Sequence, residues 1–284
     1  MIIYMISCKY KYPKYGILNV DYNDDLDIDI ESYKPLYDKS LSDILQLIST
    51  DIITEIIRNQ LEIIKSIQHK LYDPIIYENL EDFYDESLCP LPPNDIKKLS
   101  NSYPKTNYEF FKFEDFDTFN WLVYHRYLSS KINISISYET IINKIIKYNK
   151  LILELKKNIN LLRPFQSAII EKINIDTYIS YAGQTPSIPS GHSIQGFLFG
   201  AFIYYYHKEY FDNNYDDLDL LVRVSYDTGY RRILAGVHYY IDMLGSYLVF
   251  NNIIKHNGIY HQIMRYRKYL KLYIRNFIID YRYK

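Results

Sequence analysis

Residues 185–202 read TPSIPSGHSIQGFLFGAF. Pro186, Pro189 and Gly191 make a tight loop, and the apolar run behind them predicts a helix. A helix opening on such a loop presents free backbone amides outward, and its dipole favours an anion there. Ser190 adds a hydroxyl donor and His192 an acid of suitable pKa. The same tetrapeptide, from Pro189 to His192, also reads as a plain cap in which Ser190 satisfies amides and His192 packs.

Helical patterns lie on both sides of this stretch, at about residues 115–130, 138–160, 192–209, 215–234 and 240–256, and a basic, Tyr-rich tail can form one more. No Val-rich strands alternate with them and no long repeat is evident. The C-terminal two-thirds therefore reads as an all-α helical bundle. Upstream, residues 1–39 are Tyr-rich and acidic in patches (DYNDDLDIDIES), without a sustained period, and read as strands or irregular chain. Over 41–72, Ile and Leu recur at helical spacing and predict one long amphipathic helix. Ser40 is its better cap than Ser42, because Asp43 completes a capping-box pattern. The CPLPP run at 89–93 removes backbone donors and marks a linker. The expected organisation is an N-terminal segment, 1–95, and a helical catalytic domain, 96–284.

Composition narrows the partners. Lys and Arg number 33 against 34 Asp and Glu, a formal net charge of −1, which offers no footprint for nucleic acid or an anionic bilayer. Any anion site must be local. Cys8 and Cys89 are too few for a disulfide framework and lack zinc-site spacing. The opening has no basic start, long apolar run or cleavage site, so no signal peptide is read. The most apolar run, GFLFGAFIYYY at 196–206, is too short to span a bilayer. These features predict a soluble, intracellular protein with no transmembrane segment and an open oligomeric state. The 34 Tyr, with abundant Ile, Asn and Lys, reflect an AT-rich genome more than a special chemistry.

Two further clusters carry chemistry. Lys156 is followed, after six residues, by Arg163 and Pro164. On one helix this spacing puts two cations on one face, with Pro164 stopping the helix, which suits an oxyanion. A solvated basic helix end is the plain alternative. Arg231, Arg232, His238 and Asp242 form the other cluster, RRILAGVHYYID. A carboxylate four residues after a histidine can hold one ring nitrogen and leave the other as a nucleophile. Such pairs also occur by chance on helix surfaces.

Together, KKNINLLRP, PSGH and RRILAGVHYYID resemble the type 2 phosphatidic acid phosphatase and vanadium haloperoxidase superfamily, whose pattern is Lys, six residues, Arg-Pro; Pro-Ser-Gly-His; then Ser-Arg, five residues, His, three residues, Asp. TPSIPSGHSIQG and AGVHYYID are similar to the soluble bacterial acid phosphatases. The resemblance runs from about residue 156 to 245 and does not reach the first hundred residues. It implies an all-α bundle of the acid phosphatase type. His238 would attack phosphorus to form a phosphohistidine, Asp242 would orient its ring, and His192 would protonate the leaving oxygen. Lys156, Arg163, Arg232, Ser190 and the Gly191 amide would cradle phosphate oxygens, with no metal needed.

The implied substrate is a small phosphate ester or a lipid phosphate. Vanadate enters as an inhibitor, or as the cofactor of a haloperoxidase, which is the runner-up reading. A third reading is a catalytically idle binding or structural relative. One departure is visible. The family serine before the third-motif arginine is Arg231 here, which would crowd the phosphate pocket or point outward as a spare cation.

Overall fold

The computed structural model describes residues 33–48, 53–68, 117–132, 134–177 and 185–282. The readings placed on Cys8, Cys89, the CPLPP run, the first 32 residues and residues 181–184 lie outside the described residues. Eleven helices follow one another in the described residues, without a strand: α1 (Lys34–Ile48), α2 (Ile53–Gln68), α3 (Asp117–Lys131), α4 (Tyr138–Ile146), α5 (Asn149–Ile159), α6 (Pro164–Glu171), α7 (Gly191–Tyr206), α8 (Lys208–Asn213), α9 (Tyr215–Leu234), α10 (Tyr240–His256) and α11 (Met264–Arg282). The fold is all-α.

The apolar run after the PSGH loop is the centre of the bundle. In α7 every residue from His192 to Tyr204 is buried, and α9, α10, α4 and α11 pack round it. Its closest neighbour is α9, and small residues make that approach possible. A Cβ at Gly196 would stand 2.6 Å from the Ser225 carbonyl oxygen, and one at Gly229 would stand 2.3 Å from Ser193 Oγ. The close seam carries the helix opening with Ser190 and the helix ending with Arg232 side by side. Phe197, Leu198, Phe199 and Ile203 are fully buried in α7, each worth about 1.5–3 kcal/mol of burial.

Local chemistry sets the ends that matter for the site. Helix α5 ends at Asn160, which adopts left-handed φ of 52° and returns its N–H to the Lys156 carbonyl at 2.9 Å. Asparagine tolerates that conformation. Pro164 then begins α6 rather than stopping a helix, with Arg163 extended before it at φ −74°, ψ 156°. This corrects the placing of Lys156 and Arg163 on one helical face. Proline suits the first helical position, and the residue before it is pushed into extended geometry.

The 138–160 pattern is divided between α4 and α5. Tyr148 lies at the join, fully buried, accepting a 2.6 Å bond from Asn257 Nδ2 at its hydroxyl. The 41–72 pattern falls on α1 and α2, with residues 49–52 outside the described residues. Helix α1 packs on α10 and α5, and α2 on α6 and α9. Ser40 is not a cap: it is buried six residues inside α1, within 3.4 Å of Asn252 Nδ2. The start is set instead by Pro35, which is tolerated in a first turn where no N–H partner exists. No helix among the described residues is long and apolar enough to cross a membrane.

Candidate active site

Helices α5, α7, α9 and α10 bring the three sequence clusters to one point. Lys156, in the last turn of α5, donates to the carbonyls of Pro186 (2.8 Å) and Ser187 (3.0 Å), so it clamps the loop that opens α7. Arg163 donates Nε to the Thr185 carbonyl at 2.7 Å and Nη1 to the Val237 carbonyl at 2.6 Å. The same Nη1 lies 2.8 Å from His238 Nε2. On the other side of the ring, Nδ1 lies 2.8 Å from Asp242 Oδ2.

These two partners assign the tautomer. A guanidinium only donates, so Nε2 is the acceptor, and Nδ1 carries the proton given to the carboxylate. His238 therefore presents the lone pair of Nε2 on the side of the cations. Burial, reinforced by Arg163, Lys156 and Arg232, holds its pKa well below the ordinary histidine value, which keeps the ring neutral.

Asp242 occupies the third position of α10, and its Oδ2 accepts the Tyr239 N–H at 2.9 Å as well as the Ser187 hydroxyl. One oxygen thus caps a helix and orients the histidine. Burial pushes this carboxyl up to about 6, against the opposite pull of the Ser187 and Tyr239 donors. Lys156 is drawn well below the usual lysine range, mainly by burial and then by Arg163. Burial also lowers Arg163, though an arginine stays protonated at neutral pH.

Lys156, Arg163, Arg232, Ser190, His192, His238 and Asp242 are all buried. Arg232 and His192 are near enough to lower the His238 pKa electrostatically. Ser190 caps α7 by accepting the Ser193 N–H at 3.3 Å, which leaves its own hydroxyl proton to donate. The plain reading of Ser190 as the cap of α7 therefore holds. Three buried cations, Lys156, Arg163 and Arg232, act together on His238. The complement of that donor set is an oxyanion. Among the described residues no three of His, Cys, Asp or Glu are grouped to hold a metal ion.

The family model described as the PAP2 superfamily matches residues 134–250. That match supports membership of the type 2 phosphatidic acid phosphatase superfamily. The superfamily includes phosphatases, which hydrolyse phosphate esters, and haloperoxidases. No curated protein and no solved structure matches the chain.

Two features of this site are not read from the sequence alone. Ser187, fully buried, supplies a hydroxyl to the Asp242 carboxylate; its only sequence signal is a hydroxyl residue between two prolines in a loop poor in N–H donors. Ser246, one turn beyond Asp242, ties the carbonyls of Ser190 (2.9 Å) and Asp242 (2.7 Å) and so joins the second and third clusters.

Arg231 departs from one of its two sequence expectations, the outward cation. It is fully buried, with Nε 3.2 Å from Asp227 Oδ2 and its guanidinium 5.1 Å from the centre of the Tyr124 ring. It is not an outward cation. Asp227 lies one turn earlier on α9, and this i, i+4 spacing draws Arg231 toward α3.

Proposed function

We propose that this PAP2 domain is a phosphatase that hydrolyses phosphate monoesters through a phosphohistidine on His238. The observation that carries the reading is the position of the His238 ring, with Asp242 on Nδ1 and Arg163 beside Nε2, each at 2.8 Å. In the first step Nε2 attacks phosphorus, the phosphorus to leaving-oxygen bond breaks, and His192 gives that oxygen its proton. Asp242 stabilises the phosphorylated imidazole as positive charge develops on it. In the second step His192, now a base, takes a proton from water, whose oxygen attacks phosphorus and releases His238 and phosphate.

Lys156, Arg163 and Arg232, with the Ser190 hydroxyl and the Gly191 amide, face the equatorial oxygens. Each such preorganised donor contributes about 3–4 kcal/mol to the transition state. This cationic cradle supplies the charge stabilisation, so the proposed reaction proceeds without a metal. The substrate class is a small phosphate ester or a lipid phosphate. The test is hydrolysis of phosphate monoesters, anhydrides and lipid phosphates by the purified protein with chelator present. Turnover of a monoester supports the proposal, and activity that appears only on adding a divalent cation removes the metal-free mechanism.

A haloperoxidase is the second reading, because the same donors fit vanadate, an oxyanion of phosphate shape. Bound there on His238, vanadate would supply peroxide activation, and Lys156, Arg163 and Arg232 would hold its oxygens.

A further inference from the structure

Helix α2 precedes the stretch matched by the family, yet two of its side chains reach the backbone on either side of His238. Gln68 Nε2 donates to the carbonyl of Leu234, the last residue of α9, at 2.7 Å and to that of Asp176 at 2.6 Å. Its Oε1 accepts the Asp176 N–H at 2.9 Å. One carboxamide thus fastens the end of α9 to the segment that follows α6.

Asp176 in turn bears on the turn that leads to His238. Gly236 has φ of +67°, and a Cβ there would stand 2.4 Å from the Asp176 carbonyl oxygen. Only glycine permits both the conformation and the approach. The turn sends the N–H groups of Val237 and His238 back to the Arg232 carbonyl, each at 3.2 Å. At the far end of the connection, Gln60 Oε1 accepts the Ile241 N–H at 3.2 Å. Ile241 is in the first turn of α10, immediately before Asp242, where helix amides lack internal partners. Gln60 and Gln68 stand about 12 Å apart along α2 and about a quarter-turn apart around it. Ile57, Leu61, Ile64 and Ile67 are buried along the same helix and fix it to the bundle.

We propose that Gln60 and Gln68 are positioning residues, through which α2 sets the place and ring orientation of His238 by holding both ends of the 234–241 connection. Their kinetic effect rests on the phosphatase reading; their effect on the histidine ring does not. A misplacement of about 1 Å at a nucleophile costs on the order of 10²-fold in rate.

The experiment compares Gln68→Glu, which turns the donor into an oxygen facing two carbonyls, with Gln60→Leu, which removes the acceptor, and Gln60→Glu, which keeps it. The expected result is a fall in kcat of about 10²-fold in the first two with KM little changed and helical circular dichroism intact. Gln60→Glu recovers the activity lost in Gln60→Leu. Nitrogen-15 NMR of the full-length protein should show one protonated and one unprotonated ring nitrogen for His238 in the parent, and shifted ring signals in Gln68→Glu and Gln60→Leu. Should one variant fail to fold, the other decides. Folded variants with parental kcat and parental His238 ring signals overturn the proposal. If the parent hydrolyses no ester, the phosphatase reading falls, and the ring signals still decide the positioning role.

Discussion

Arg163 Nη1 and Asp242 Oδ2 hold opposite nitrogens of the His238 ring, each at 2.8 Å. Under the proposed function His238 attacks phosphorus while His192 protonates the leaving oxygen, so their removal should have different signatures. His238→Ala should abolish both turnover and covalent phosphate labelling. His192→Ala should slow departure of poor leaving groups and do least harm where the leaving group is already good. A series of aryl phosphates of graded leaving-group pKa measures this, and an equal loss across the series removes His192 from the acid role.

Activity should depend on pH through the histidine and aspartate as a pair. The proposed reaction needs His238 neutral and Asp242 ionised. The histidine is held well below its usual value while the carboxyl is raised to about 6, so kcat/KM should rise with pH through one apparent pKa near 6 that belongs to the pair. Because the Ser187 hydroxyl lowers the Asp242 pKa, Ser187→Ala should move this limb to higher pH. On the alkaline side, the depressed Lys156 should give a falling limb below the range of an exposed lysine. A Ser187→Ala profile that overlays the parent would show that the hydroxyl does not tune the carboxylate.

How far the sequence could be read depends on the range of the interactions involved. Helices α9 and α10 fall at 215–234 and 240–256, where the pattern put them, because acidic Asp216 and Asp217 open α9 and basic Arg231 and Arg232 close it, matching the helix dipole. The end of α5 at Asn160 agrees with the 138–160 pattern, whereas the shared face for Lys156 and Arg163 carried one helix past it, and the division at Tyr148 escaped the periodicity. Pro164 was legible as a boundary but not as a beginning. Lys156 and Arg163 meet His238 all the same, because tertiary contacts of Arg163 with residues 185 and 237 replace the shared face. Gln60 and Gln68 are illegible from sequence: polar residues on an apolar helix face look like flaws until partners more than a hundred residues away are placed against them.

Arg231 should contribute to stability more than to catalysis. Arg231→Ser restores the family residue but leaves Asp227 buried without its cation, at a cost of about 3–5 kcal/mol. Chemical denaturation should show this loss, while kcat/KM of the protein that remains folded changes little. Adding Asp227→Asn should return part of the stability. A large change in KM with unchanged stability would instead make Arg231 a substrate contact.

Phosphatase and haloperoxidase place opposed demands on one anion cradle. A phosphatase must admit an ester group and release phosphate quickly, whereas a peroxidase must retain vanadate against competing phosphate. Under the proposed function the cradle is Lys156, Arg163 and Arg232 around the neutral His238, all buried, and vanadate, an oxyanion of phosphate shape, would be held by the same residues. Under the proposed function vanadate should inhibit ester hydrolysis competitively, phosphate should compete as product, and His238→Ala should lose vanadate binding. Kinetics at several ester and vanadate concentrations, with a parallel assay of bromide oxidation by peroxide, separate the cases. If vanadate-loaded protein oxidises bromide at a good rate and hydrolyses no ester, the haloperoxidase reading takes the place of the phosphatase.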